Sequence, residues 1–397
     1  MRGHFWGRAR GTSRGRMARL AVAGMVAFLM MGLLVIPVAG VDSETVLDIP
    51  SDFEDVQNAL PDEIRDQLPE GMGAESAEEK GEALSQMLTP TYFFEVLKEN
   101  ANKALGGGVR LFATLCGLLI LCAVFQTLRS SLASDMLRNT VRFCTVGGVF
   151  ATILQIQYDQ LLFVVRFFER LHSLMAAMIP VGGALLAMGG NVSTATAGTA
   201  TLGVFLSVSE GLCSKTVVPV CAIGTAFALI QALCPELGVR GLAGALRKTY
   251  TFTIGFIMSM LCFLLSSQTT LCAAADSTGA RAAKLVSGMA IPVVGGSVGE
   301  TLRTVAGSVQ YLKSIVGFGG ILFILLLLLP TLLSLLFTRL ALLLCSGVAD
   351  MLGCESEGKL LSELGTVFGT MIAVVAMCSV MFILSLVIFV RIAVAVG

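Results

Sequence analysis

Apolar residues in this chain fall in long blocks rather than at alternating positions, which excludes a strand-built fold. Four blocks, 106–127, 250–272, 314–338 and 364–390, are clear spans. Each meets the ~20 residues a helix needs to cross ~30 Å of hydrocarbon. Shorter or more polar blocks lie between them, at 143–164, 173–190, 198–212, 216–234 and 340–352. The pattern predicts an all-α polytopic membrane protein with about six to eight transmembrane helices. Broken or re-entrant segments are expected where the blocks are short. Composition agrees: 55% of residues are hydrophobic and 14% charged, against ~25% charged in a soluble globular domain.

The formal net charge is zero, but the signs are segregated. Arg2, Arg8, Arg10, Arg14, Arg16 and Arg19 precede an apolar stretch, Leu20–Ile36, and then Val38-Ala39-Gly40. A basic n-region, an apolar h-region and small residues at the exit make residues 1–40 a signal peptide; an uncleaved first span is the competing reading. From Val41 to Asn100 the chain holds 16 of its 27 acidic residues against three bases, Arg65, Lys80 and Lys98. Residues 41–105 therefore form a small acidic segment, extracytoplasmic because the positive flank stays inside. It reads as a partly ordered spacer or as a docking segment for an extracytoplasmic partner. Residues 106–397 form the multispanning membrane domain.

Two basic clusters orient that domain: Arg129, Arg138 and Arg142, then Arg240, Arg247 and Lys248. Both belong on the cytoplasmic side. An even number of crossings, two or four, must then separate them.

One phrase occurs twice. Met178-Ile179-Pro180-Val181-Gly182-Gly183 resembles Ala290-Ile291-Pro292-Val293-Val294-Gly295-Gly296, and each copy follows a basic stretch. A weak internal repeat is expected around 178–198 and 289–308. Proline lacks a donor and glycine permits close backbone approach, so Pro180, Gly182, Gly183, Pro292, Gly295, Gly296 and Gly299 are candidate helix-break or packing positions. They would line a cavity or subunit seam, or form an interfacial turn. Downstream, Glu300, Arg303, Gln310 and Lys313 interleave with apolar residues, giving a polar face on a membrane-surface helix or an aqueous path. The small polar run Asn191–Thr201 bonds between packed helices or caps a turn. Gly295 with Gly299 and Gly365 with Gly369 have the spacing of close helix contacts.

Catalytic templates fail. Gly295-Gly296-Ser297-Val298-Gly299 matches the nucleophile-elbow spacing, but that motif needs a strand-to-helix turn and a histidine partner. The chain has two histidines, His4 and His172, and His4 lies in the leader. Phosphate-loop and zinc-protease motifs are missing. The eleven cysteines all lie in or beside apolar blocks, with no CxxC spacing, and read as small apolar residues rather than a disulfide framework or metal site. Asp159, Asp276 and Asp350 look peripheral. The chain reads as no enzyme, with no cofactor and no nucleic-acid partner. A complex subunit and an autonomous secondary transporter both fit this composition.

Lys284–Gly299, reading KLVSGMAIPVVGGSVG, and the following Thr301–Lys313 stretch resemble the stage III sporulation protein AE family of endospore-forming bacteria. The signal-like start, acidic segment and hydrophobic body extend the likeness over most of the chain. The resemblance implies a multi-pass protein of the mother-cell membrane surrounding the forespore. It would serve a secretion-like transenvelope channel complex needed for forespore gene expression after engulfment. Implied partners are a cytoplasmic ATPase and extracytoplasmic ring-forming proteins of the same complex, besides the lipid bilayer. The implied role is a noncatalytic membrane platform or export-gate-like subunit. No catalytic residue transfers.

Overall fold

The structure is a computed structural model describing residues 90–130, 135–188, 192–234, 238, 240–290 and 295–395, with backbone alone over 276–290 and 295–316. The expected signal peptide, residues 41–89 of the acidic segment, and Pro292 lie outside the described residues. Six helices make up the described chain: α1 (Pro90–Ser130), α2 (Asp135–Met188), α3 (Val192–Leu233), α4 (Arg240–Ala290), α5 (Gly295–Met351) and α6 (Glu355–Ala395). Each contains a stretch of 33 to 46 residues apolar enough to cross a membrane. At 1.5 Å per residue such a stretch runs roughly 50–70 Å. That exceeds the ~30 Å hydrocarbon thickness, so these helices tilt or project into the aqueous phase.

Among the described residues six helices are long and apolar enough to span, the lower end of the expectation, because neighbouring blocks merge. Blocks 143–164 and 173–190 are one helix, α2; 198–212 and 216–234 are α3; 340–352 continues 314–338 within α5. The residues separating them are charged or polar, including Arg166, Glu169, Arg170, Glu210 and Lys215. Such residues lower hydropathy without disturbing helical backbone, and Arg and Glu favour it. α1 starts at Pro90, where a first-turn proline lacks only a donor that would be unused anyway. Residues 90–105 therefore share a helix with the first span rather than ending a separate segment.

The expected break at Pro180 does not occur: α2 continues through Pro180, Gly182 and Gly183 to Met188. Pro219 in α3 and Pro330 in α5 are likewise inside continuous helices. One missing N–H in a packed apolar helix is absorbed by its surroundings.

α5 and α6 form the centre. About half of each of their spans is buried within the protein, against a fifth to a third for the other four. Leu322 to Leu328 are buried at seven consecutive positions, so this part of α5 is surrounded on every side. On α6, Leu360, Leu364, Phe368, Met371, Val375, Cys378 and Phe382 are buried at helical spacing. α6 packs on α2, α3, α4 and α5, while α1 packs mainly on α5. The Gly365/Gly369 pair serves the α5–α6 contact: a Cβ at Gly365 would meet Leu343 Cδ2 at 3.4 Å, and one at Gly369 would meet Arg339 Cζ at 3.1 Å.

The α5–α6 hairpin turns at Gly353, whose φ of 78° suits glycine. Cys354 N–H donates to the Ala349 carbonyl (2.9 Å) and Gly353 N–H to that of Asp350 (3.2 Å). This Schellman arrangement satisfies the last carbonyls of α5.

Candidate functional site

The helix ends define a charged base. Arg142, near the start of α2, donates from Nη2 to the Ala232 carbonyl at 2.7 Å, satisfying the C-terminus of α3. The Thr145 hydroxyl donates to Glu357 Oε1 at 2.5 Å, joining α2 to the first turns of α6. Arg247 of α4 donates from Nη2 to Glu363 Oε2 at 2.8 Å, and Arg240 Nε lies 3.3 Å from Glu363 Oε1. Glu363 and Arg247 side chains are only 8% and 12% exposed, whereas Arg240 is 76% exposed. A buried carboxylate is thus held by two arginines across the α4–α6 contact. The Ser346 hydroxyl donates to the Gly358 carbonyl at 3.0 Å, placing the end of α5 at the same level.

Both basic clusters expected on one side of the membrane belong to this end. Arg142 starts α2, while Arg240, Arg247 and Lys248 start α4. Two helices, α2 and α3, separate them, one of the two even numbers the charge pattern allowed.

Farther along the bundle, α1, α2 and α5 enclose a cleft of about 970 Å³. α1 and α5 run parallel there, with Gly108 against Phe337 and the Phe112 carbonyl near Cys345 Sγ. A Cβ at Gly108 would lie 3.1 Å from Phe337 Cβ, so glycine permits the close approach. Thr331, Ser334 and Thr338 share one face of α5 by their spacing, and all three line the cleft. Gln160 of α2 exchanges hydrogen bonds with Ser334 at 3.1 and 3.3 Å. α1 contributes Tyr92, Glu95, Glu99, Lys103 and Arg110, and α2 adds Arg170. Lys103 Nζ pairs with Glu99 Oε1 at 2.8 Å. Burial raises the Tyr92 phenol above its ordinary range, keeping it protonated. Ionisable groups inside an apolar bundle are expensive and face cavities or partners.

Polar pairs also tie the neighbouring helices. Gln157 donates to the Thr225 hydroxyl between α2 and α3. Thr216 and Tyr250 hydroxyls are 3.0 Å apart between α3 and α4. His172 Nδ1 lies 3.2 Å from Glu210 Oε2, each about one-third exposed.

The sequence-predicted positions divide between two places. Pro180 is exposed on α2, and Gly182 and Gly183 are half-buried. A Cβ at Gly183 would come within 2.8 Å of Thr199 Cγ2, so this glycine is a packing position between α2 and α3. In the polar run that follows, Thr196, Thr199 and Thr201 bond to carbonyls of their own helix, and Thr201 also reaches Gln268 of α4. Gly295, Gly296, Gly299, Glu300, Arg303, Gln310 and Lys313 all fall on the continuous backbone of α5; their side chains lie outside the described residues. None of the predicted positions whose side chains are described, Pro180, Gly182 and Gly183, lines the cleft. Its residues were missed because no short motif joins them. The visible signals were the Thr331/Ser334/Thr338 spacing and Arg110, one turn inside an apolar block. Among the described residues, no group of three or more His, Cys, Asp or Glu is placed to hold a metal.

Six helices long and apolar enough to cross a membrane, four of them around the buried α5–α6 hairpin, with a charged base and an interhelical polar cleft, define a multi-pass membrane protein. A family model described as stage III sporulation protein AE matches residues 80–393. The chain belongs to that sporulation family. It is 22% identical over 212 residues to Stage III sporulation protein AE of Bacillus subtilis (strain 168), a match covering 53% of each protein. The chain thus spans about half the length of that curated relative. No solved structure matches.

Proposed function

We propose that this chain is a noncatalytic membrane-platform or export-gate-like subunit of a mother-cell to forespore transenvelope complex. The family assignment carries this reading, and the six-helix bundle supports it. Its energy would come from a partner cytoplasmic ATPase, and extracytoplasmic ring-forming proteins would continue the path across the envelope. The charged base faces the mother-cell cytoplasm, as the positive-inside bias favours. α1 then enters from the far side, leaving the acidic residues 41–89 extracytoplasmic. Pro292, Gly295, Gly296 and Gly299 form the seam between α4 and α5 that contacts other subunits. Glu300, Arg303, Gln310 and Lys313 present the polar surface beside it.

A forespore transcription reporter in an endospore-former lacking this protein tests the proposal. Complementation by the wild-type chain restores reporter activity after engulfment, whereas P292A/G296L inserts into the membrane but does not. Normal reporter activity in the deletion strain would end the proposal. Full rescue by P292A/G296L would end the seam assignment.

A further inference from the structure

The α1–α2–α5 cleft contains a cation and two hydroxyls that bond to no described residue. Arg110 is exposed within it and makes no ion pair or side-chain hydrogen bond to a described residue. Thr331 and Thr338 are 3% and 6% exposed, line the same cleft, and make no hydrogen bond to a described residue. Hydroxyls that open into a cleft without an acceptor, and a guanidinium inside an apolar block, favour a polar ligand. All three line the one cleft; the Gly108–Phe337 contact sets Arg110 at the level of Thr338, with Thr331 two helical turns farther along the same face of α5. A ligand there needs an anionic oxygen for the guanidinium and further acceptors for the hydroxyls.

The remaining walls select among anions. Leu111, Ile156, Phe163, Phe167 and Leu327 line the cleft beside these polar groups, giving apolar surface that free phosphate cannot cover. The acidic residues do not cancel Arg110. Glu99 is paired with Lys103. Glu95 lies fifteen residues along α1, about 22 Å by helical rise, beyond the ~8 Å screening length at physiological ionic strength. The cleft is open rather than sealed, and Arg110 sits one turn inside the apolar block 106–127, where a lipid headgroup enters most readily.

We propose that this cleft binds an anionic diacyl phospholipid. Its phosphodiester rests on the Arg110 guanidinium, its headgroup and ester oxygens accept from the Thr331 and Thr338 hydroxyls, and its first methylenes lie on the apolar wall. Arginine is suited to this contact because its planar fork matches two phosphate oxygens. The volume, near the upper end of the ~300–1,000 Å³ range for small-ligand sites, accommodates the headgroup and glycerol with the acyl tails extending outside.

Native mass spectrometry of the full chain in mild detergent, after delipidation and titration with defined lipids, provides the test. Phosphatidylglycerol is expected to bind at one per chain at least tenfold more tightly than phosphatidylcholine. R110Q is expected to lose at least tenfold of that preference, R110K to retain part of it, and T331V/T338V to lose about threefold. Excess inorganic phosphate leaves the bound lipid in place. Equal binding of the two lipids by the wild type would overturn the proposal, as would wild-type preference in R110Q. Displacement of lipid by phosphate at matched concentration would identify a simple anion site instead. Should R110Q not remain monodisperse, the lipid preference of T331V/T338V and the phosphate competition still decide.

Discussion

Replacing Arg247 by methionine removes the better-buried partner of Glu363 while keeping much of its volume. Glu363 then keeps only Arg240, which is 76% exposed and approaches through Nε at 3.3 Å. Breaking a buried pair by deleting one partner costs about 3–5 kcal/mol, because the remaining charge stays desolvated. Residual help from the exposed Arg240 brings the expectation for R247M to about 2–4 kcal/mol. The double variant R247M/E363L leaves no buried charge and is expected to cost no more than about 1 kcal/mol. The two positions are therefore coupled, with the double variant more stable than R247M alone. Denaturant unfolding of the wild type, both single variants and the double variant in one detergent gives the coupling energy directly. Additive single effects would refute this reasoning and show that Glu363 is neutralised or hydrated by other groups.

Other consequences are equally direct. Cys213 and Cys378 Sγ atoms lie 2.8 Å apart between α3 and α6; a membrane-permeant thiol oxidant should join them, protecting both from maleimide mass tagging, and C213A should abolish that protection. Gly183→Leu forces a side chain against Thr199 and is expected to destabilise the α2–α3 contact by about 1–3 kcal/mol, read as a lowered unfolding midpoint, with Gly147→Leu, where nothing lies within 4 Å of an added Cβ, as the mild control. Burial, followed by nearby Glu357, raises the Cys354 thiol at the α5–α6 turn above its ordinary value. A raised thiol remains protonated at neutral pH, so its maleimide labelling should be slow at pH 7 and accelerate with rising pH; exposed Cys234 provides the rapid-labelling comparison.

Long apolar blocks made the helices legible in the sequence, and the two arginine clusters restricted the crossings between them to an even number. Helix boundaries were less legible because hydropathy dips at Arg166–Arg170 and at Glu210–Lys215, although neither dip breaks the backbone. Pro180 misled for a related reason: proline deletes one hydrogen bond, but packing decides whether the helix ends. Gly183 was recognisable as a close-contact position, yet only the fold supplies Thr199 opposite it. The cleft was least legible. Arg110, Gln160 and Thr331 are separated by 50 residues or more in each interval, and their meeting depends on α1 running parallel to α5. The Glu363–Arg247 pair is hidden similarly, because each residue alone reads as a solvated helix-end charge.

The platform role is tested most directly by recovering this protein in mild detergent from its native cells during forespore engulfment, with gentle cross-linking and quantitative mass spectrometry. The account predicts stoichiometric recovery of a cytoplasmic ATPase and extracytoplasmic ring-forming proteins with it. Recovery of the chain alone, together with substrate-dependent transport by the purified protein in liposomes, would contradict the account and identify an autonomous transporter.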